Sequence, residues 1–376
     1  MKPGWHKVPF DAVIADESGG NIKTLQSEFL AAGHYAVVDQ GKELVAGYVN
    51  DESCLCRAQL PVIVFGDHTR CFKYVDFPFC MGADGIKILR PKIDADVKYL
   101  YHYFRQLRLT EGGYDRHFKY LKRVDVVLPP LPEQRRIAEA LDRTEALRTK
   151  RLAALAQLDT LTQSILCDLF GDLATNTKGW PVRAVGGMVV GVTNGMTRRR
   201  SESDSGANIV LRLRDIRSGW IDFSDVNRIT LTSEESSRYE VLPGDILFIR
   251  VNGNPDYVGR CALFPGYPEP VYFNDHIMRV TLDRSVVSGV FLTFVLNGPH
   301  GKREIALHRK TSAGQHTINQ DGLSRIRIPL PPMHLQDEFA RRVAVIEKLR
   351  NTYQLSLIGL DEFFASLQHR AFQGEL

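Results

Sequence analysis

No cysteines at metal-knuckle spacing occur in this 376-residue sequence. Cys54, Cys56, Cys71, Cys80, Cys167 and Cys261 form no C-x-x-C pair, which argues against a structural zinc site and leaves reduced, partly buried thiols as the expected state. No apolar run approaches the ~18 residues of a membrane-spanning helix, and the opening MKPGWHKVPFDAVIADESGG has no signal-peptide core. A cytoplasmic protein that does not associate with membranes is expected. The Gly-x-x-x-x-Gly-Lys-Ser/Thr phosphate loop and helicase motifs are absent, so ATP chemistry would have to come from elsewhere. So is a Phe-x-Gly-x-Gly turn for a methyl-donor cofactor: the glycine-rich stretch Ala184–Gly191 lacks the acidic or aromatic lead. No acid pair with a nearby lysine, as a magnesium-dependent nuclease needs, sits on a strand-like segment. His276, His300 and His316 are scattered. A large excess of one charge is also missing: 48 Lys plus Arg against 44 Asp plus Glu leave +4, which permits nucleic-acid binding without demanding it.

What is present is an ordinary folded composition, 44% hydrophobic and 24% charged, long enough for two or three compact units. An internal repeat organises it. At a constant offset of 202, Pro129-Pro130 falls on Pro331-Pro332, Gln134 on Gln336, Ile137 on Phe339, Leu141 on Val343, Leu161 on Phe363 and Phe170 on Phe372. Upstream of each copy lies a longer segment opening on Gly-Trp, at Gly4-Trp5 and Gly179-Trp180.

Glu133 to Leu169 contains neither proline nor glycine, the prolines before it force an extended approach, and Gly171 supplies a stop, so a long helix is predicted. It would span about 55 Å at roughly 1.5 Å per residue. Ile137, Leu141, Leu155, Leu158, Leu161 and Ile165 recur at helical spacing, as do Phe339, Val343, Ile346, Leu349, Leu357, Leu360, Phe363 and Leu367. A solitary helix cannot hide such a stripe, and its natural partner is its repeat. Heptad geometry allows parallel or antiparallel pairing; a pseudo-two-fold antiparallel coiled coil suits a ligand with two-fold character, such as duplex DNA. Long helices packing an ordinary core would explain the repeat poorly. Short β-branched runs (HYAVVDQ, LPVIVFGD, DGIKILRP, ANIVLRLRDI, DILFIRV, HIMRVTLD) read as strands, and DADVKYLYHYFRQL and SGVFLTFVLNG as helices. The expected fold is mixed α/β (α+β), with globular regions at residues 1–130 and 173–330 and spacer helices at 131–172 and 331–376.

The whole chain resembles specificity subunits of Type I restriction-modification systems. The resemblance rests on LPPLPEQ followed by a long amphipathic helix ending at Phe-Gly, and on its degenerate C-terminal copy. The Gly-Trp openings, FGDHTRCFKYVDFPFCMGADGIKIL, and PGDILFIRVNGNPDYVGRCALF leading to FNDHIMRV add to it. Met333-His334-Leu335 departs from the pattern, but Gln336 and the helix follow. The resemblance implies a chain with no active site, two target-recognition domains that each read half of a bipartite, asymmetric DNA sequence, and paired helices that set the gap. It implies as partners double-stranded DNA, two copies of a modification subunit that binds S-adenosylmethionine and methylates adenine, and restriction subunits that use ATP and magnesium. No cofactor or metal is expected in this chain itself.

Candidate DNA contacts are loop residues whose side chains can address base edges or phosphates. In the first region these are His68, Thr69, Arg70 and Lys73, then Arg116, His117 and Lys119. In the second they are Arg250, Asn252, Asn254 and Tyr257, then Lys310, Thr311, Gln315 and His316. Arg198 and Arg199, beside Arg200, suit a phosphate arm or a solvated loop equally. For each, a surface loop or strand edge with no ligand is the alternative. Asn254-Pro255-Asp256-Tyr257 also approaches the Asn-Pro-Pro-Tyr motif that holds a flipped adenine. It keeps open a second reading, an adenine methyltransferase or nuclease with its own active site. A third is an orphan regulator that binds DNA without partners.

Overall fold

The structure, a computed structural model, describes residues 2–109, 116–197, 206–312 and 314–376. It divides into two compact units, Met1–Ala154 with Tyr353–Leu376, and Leu155–Thr352.

In the first unit, β1 (His6–Pro9), α1 (Phe10–Val13), β2 (Ile14–Asp16) and β3 (Lys23–Thr24) lead into β4 (Tyr35–Val38) and β5 (Gly47–Val49). There follow β6 (Val62–Gly66), β7 (Phe72–Val75), β8 (Phe79–Gly82), β9 (Ile86–Pro91), α2 (Val97–Gln106), α3 (Phe118–Leu121) and β10 (Asp125–Leu128). One sheet has the order β2-β9-β6-β7, all antiparallel; a second, β3-β8-β4-β5, runs β8 parallel to β3 and β4. Val-Ile-Val-Phe of β6 is buried on both faces, as a central strand requires. Asp96 caps α2 by accepting the Tyr99 N–H at 2.8 Å, and Tyr99, Leu100, Tyr103 and Phe104 turn one face of that helix into the core.

The chain then enters α4 (Leu131–Phe170), and the second unit continues with β11 (Val182–Ala184), β12 (Val189–Asn194), β13 (Asn208–Leu211), β14 (Asn227–Ile229), α5 (Ser233–Tyr239) and β15 (Ile246–Ile249). After these come β16 (Val251–Asn252), β17 (Cys261–Leu263), β18 (Val271–Phe273), β19 (Ile277–Leu282), α6 (Gly289–Asn297) and α7 (Pro299–His308). It closes with β20 (Lys310–Ser312), β21 (Gln315–Thr317), α8 (Gln320–Arg325), β22 (Arg327–Pro329) and α9 (Met333–Gln373). The order β12-β19-β15-β17 repeats β2-β9-β6-β7 strand for strand, and β14-β13-β18 repeats β5-β4-β8 with the same parallel pair. The repeat therefore extends from the helices into both sheets.

Each globular region closes its ends with an antiparallel pair, β1 with β10 and β11 with β22, immediately before the proline-rich turn. The turn is built identically twice. Buried Gln134 donates to the Pro129 carbonyl at 2.8 Å and accepts the Asp96 N–H at 2.9 Å; buried Gln336 donates to Pro331 and accepts from Ser288, both at 2.8 Å. Asp96 and Ser288 are the N-caps of α2 and α6, so one glutamine fastens the start of each long helix to the start of a domain helix. The opening tryptophans anchor the two ends of α4: Trp5 Nε1 donates to Glu133 in its first turn, and Trp180 Nε1 to the carbonyl of Phe170, its last residue.

α4 begins at Leu131 because proline is tolerated in a helix's first turn, and it ends where Gly171 takes φ +74°. Within the first unit, Arg148 pairs with Asp361 at 2.5 Å and Arg151 lies 4.2 Å from the Tyr353 ring centre, so the helix segments run antiparallel. In the second, Asp159 meets Arg350 and Phe170 meets Phe339 at 5.5 Å between ring centres, again antiparallel.

Ile137, Leu141, Leu158, Phe339, Val343 and Ile346 are buried, and Leu155, Ile165, Leu357, Leu360 and Leu367 half-buried. Three expected interface residues are corrected: Leu161, Leu349 and Phe363 are exposed, at 46%, 43% and 56%. The inward line of α4 is Leu158, Thr162, Leu166 and Phe170, and Phe364 rather than Phe363 faces the first core. Adjacent helical residues diverge by about 100°, and Thr162 can be buried because its hydroxyl donates to the Leu158 carbonyl at 3.0 Å.

Candidate nucleic-acid interface

In the second unit, buried β15 delivers the chain to Arg250 and then to β16, which pairs with β21, itself paired with β20. Asn252 lies opposite His316, and His316 opposite Thr311, so two stretches separated by some sixty residues in sequence form one three-stranded ribbon. Thr311 Oγ1 and His316 Nδ1 are 2.9 Å apart, and Lys310, Thr311 and Gln315 are exposed. Arg250 is half-buried, its Nη1 donating to the Asp275 carbonyl at 3.0 Å. Arg309 ties the adjacent turn by donating to the Pro255 carbonyl at 2.8 Å.

The turn itself shows what Asn254-Pro255-Asp256-Tyr257 does. Asn252 Oδ1 accepts the Asn254 N–H at 2.8 Å, and Asn254 Oδ1 accepts the Asp256 N–H at 2.9 Å, two successive side-chain turns. Asn254's carbonyl oxygen, which a base-holding loop would offer to the adenine amino group, is thus already engaged. Arg260 lies 4.1 Å from the centre of the Tyr257 ring, where a flipped base would stack. The side-chain NH₂ groups of Asn252 and Asn254 make no hydrogen bond among the described residues, which leaves donors for a ligand.

In the first unit the equivalent place is the β6–β7 tip. Gly66 N–H donates to Cys71 and Arg70 N–H to Gly66, and Arg70 takes φ +61° at the turn. Thr69 donates to the Gln40 carbonyl. Asp67 holds the second candidate stretch against this tip: its carbonyl accepts the His117 N–H at 2.9 Å and its Oδ1 the Phe118 N–H at 2.7 Å. His68, Thr69, Arg70, Arg116 and Lys119 are thereby gathered at one edge, Thr69, Arg70, Arg116 and Lys119 exposed. Two candidates are corrected. Lys73 is 5% exposed and donates to the Asp39 carbonyl at 2.8 Å beside the Asp39 carboxylate, and His117 is 3% exposed with Nδ1 3.0 Å from the Asp67 carbonyl. Both brace loops from inside. Arg198 and Arg199 lie outside the described residues.

The two edges are homologous. Asp67 N–H donates to Gly85 and Arg250 N–H to His276, while the carbonyls of Asp67 and Arg250 accept from His117 and Ile318. Sequence reasoning missed Asp67 and the glutamines' second bonds, because only tertiary contact assigns a polar side chain to a backbone group far along the chain.

Among the described residues no cluster of three or more His, Cys, Asp or Glu could hold a metal ion, and no helix is long and apolar enough to cross a membrane. All six thiols are free; burial pushes Cys80 up to about 11 and Cys261 higher still, so both stay protonated at neutral pH.

A family model for the Type I restriction modification DNA specificity domain matches residues 20–157. Residues 20–157 thus carry a domain of this family. The chain is 31% identical over 268 residues to the Type I restriction enzyme StySPI specificity subunit of Salmonella potsdam, covering 67% of this chain and 58% of that protein. To the EcoKI specificity subunit of Escherichia coli K12 it is 25% identical over 270 residues, with the same coverage. The match thus spans less than two-thirds of either relative. The crystal structure of the M. genitalium Type I S subunit shares the fold, with a TM-score of 0.67 at 14% identity over 98% of this chain and 96% of that one.

Proposed function

We propose that this chain reads a bipartite, asymmetric sequence in double-stranded DNA and performs no chemistry of its own. Residues 1–130 and 173–330 act as target-recognition domains, and the helices at 131–172 and 331–376 set the spacing between half-sites. The observation that carries this is the twofold occurrence of one sheet order with one polar edge, at β6–β7 and at β15–β16. A single two-part reader needs such an arrangement, and a methyltransferase centre does not. In this reading Arg250, Asn252, Asn254, Tyr257, Lys310, Thr311, Gln315 and His316 face the second half-site, and His68, Thr69, Arg70, Arg116 and Lys119 the first.

Methylation and cleavage belong to partners: modification subunits, two per chain, carrying S-adenosylmethionine, and restriction subunits using ATP and magnesium. The exposed Leu147, Leu152, Leu355 and Phe363 of the first unit, and Leu161, Val345 and Leu349 of the second, supply apolar docking area for the modification subunits.

Methylome sequencing of cells expressing the chain with its modification subunit tests the reading, with one bipartite adenine-methylated motif expected. Inserting about one helical turn into both α4 and α9 lengthens the gap between the half-sites and leaves the half-sites unchanged; an altered half-site overturns the spacer role. Stoichiometric crosslinking of labelled S-adenosylmethionine to the purified chain would instead establish an enzyme.

A further inference from the structure

In the first unit, α2 and the first half of α4 are joined by a ladder of side-chain bonds. Asp96 N–H donates to Gln134 at 2.9 Å, Lys98 Nζ donates to Asp142 at 2.6 Å, His102 Nε2 lies 2.8 Å from the other Asp142 oxygen, and Arg105 Nη1 donates to both Glu145 oxygens at 2.7 and 2.9 Å. The partners climb in the same order on both helices, so the two run parallel. Lys98, His102 and Arg105 follow at steps of four and three, one stripe of α2, and Asp142 and Glu145 stand three apart on α4. We propose that Lys98, His102 and Arg105, through Asp142 and Glu145, are positioning residues that fix the angle of the first recognition domain to α4 and so enforce the length of the gap between half-sites. The proposal rests on the two-part reading function above and deepens it, because a long helix sets a distance only if the domain it carries cannot swivel at the joint.

The second unit supplies the contrast. It keeps the glutamine bond, Gln336 to the Ser288 N–H at 2.8 Å, but among its described residues it has none of the charged rungs. At the positions of Lys98, His102 and Arg105 it has Val290, Phe294 and Asn297, and at those of Asp142 and Glu145 it has Ala344 and Glu347. Asn297 is engaged by the Cys261 backbone, accepting its N–H at 3.2 Å and donating to its carbonyl at 2.8 Å, and Glu347 pairs with Arg350 of its own helix at 3.0 Å. Phe294 packs on Phe339 at 5.2 Å and Phe170 on Phe291 at 4.9 Å between ring centres. Apolar burial is non-directional, so it holds a joint closed without choosing its angle. Hydrogen bonds weaken steeply off their axis, so a row of them selects one angle.

The ladder is anchored in the body of the first domain. His102 is fully buried and Asp142 is the partner that orients its imidazole, Nδ1 having none among the described residues. Lys98 lies 5.2 Å from the ring centre of Tyr74 on β7, and Arg105 lies 5.0 Å from that of Tyr101. The connection thus runs from α4 through α2 into the sheet β2-β9-β6-β7. Half-exposed ion pairs add little stability, so loss of one rung leaves the domain folded while freeing its angle.

The test uses the full chain assembled with its modification subunit. The readout is the ratio of methylation rates on duplexes with the native gap and with a gap one base pair longer or shorter, both half-sites intact. Arg105→Gln should lower this ratio about threefold, the size of one half-exposed pair. Lys98→Gln with Arg105→Gln should lower it roughly tenfold where the two losses add. Exchanging the pair, Arg105→Glu with Glu145→Arg, should restore most of the discrimination, which a residue needed only for folding would not show. Unchanged discrimination in the Gln variants, an exchanged pair no better than Arg105→Gln, or an altered half-site overturns the positioning role. A wild-type complex that methylates a strictly spaced bipartite motif alongside any of these results removes that role alone; a wild-type complex with no bipartite motif removes the reading function with it.

Discussion

The two units share a frame and differ at its polar edges and in one buried contact. The residue leaving the central strand is Asp67 in the first and Arg250 in the second, each making the same pair of backbone hydrogen bonds. Asp67 turns its carboxylate inward to cap α3, whereas Arg250 reaches the loop before β19. Behind the edge, the first unit joins α2 to α4 through His102 and Asp142, 2.8 Å apart, with Lys98 also on Asp142 at 2.6 Å. At the repeat-related positions the second unit has Phe294 and Ala344, and Phe294 packs on Phe339 at 5.2 Å. Backbone bonds and apolar strands are thus common to both units, while the side chains at the polar edges and against the long helices diverge.

The sharpest way to break the comparison is through its two equivalent phenylalanines. Phe170→Ala empties a fully buried site between Phe291 and Phe339 and should cost about 3–5 kcal/mol in urea unfolding. Phe372→Ala, 8% exposed beside Tyr99 and Tyr103, should fall at the lower end of that range. If either costs less than about 1 kcal/mol, the two joints are not equivalent.

Next come the glutamines. Gln134→Leu and Gln336→Leu each orphan one buried carbonyl and one N-cap amide, a loss of roughly 2–4 kcal/mol. The two values should agree within about 1 kcal/mol by the same measurement. Asp67→Ala should destabilise by about 1 kcal/mol through its lost cap, while Arg250→Ala should act chiefly on DNA binding at the second half-site, measured by fluorescence anisotropy with single-base variants of the target.

Acid should separate the units further. Burial would raise the Asp142 carboxyl, but hydrogen bonds from His102 and Lys98 outweigh it and hold the group below the ordinary carboxylate range. Its stabilising contribution is therefore complete above about pH 4 and lost as pH falls through the lowered folded value. Asp142→Asn should remove this part of the acid transition of the first unit; an unchanged acid profile by circular dichroism would count against the assignment. The smallest effect concerns Leu161, Leu349 and Phe363, whose exposure makes serine substitution worth within about 0.5 kcal/mol in the isolated chain. Weakened co-purification of the modification subunit would then identify them as docking residues.

Much of this was legible without coordinates. Strands such as Val62–Phe65 and Ile246–Ile249 are continuous apolar runs, and the long helices announce themselves by their prolines, their stripe and Gly171. The errors share one cause. Periodicity selects apolar residues, so it chose Leu161 over Thr162 and Phe363 over Phe364, and it cannot register that a hydroxyl bonded to its own helix is cheap to bury. Chemical type alone offered Lys73 and His117 as contacts, although distant backbone carbonyls already hold both.

By itself, the sequence determined the repeat, the element types and the family resemblance, because these depend on local periodicity and on residues a fixed distance apart. Only the tertiary structure decided which polar groups remain for a ligand. Whether Lys73 and His117 face a ligand or brace a loop depends on the carbonyls of Asp39 and Asp67, contributed from far along the chain.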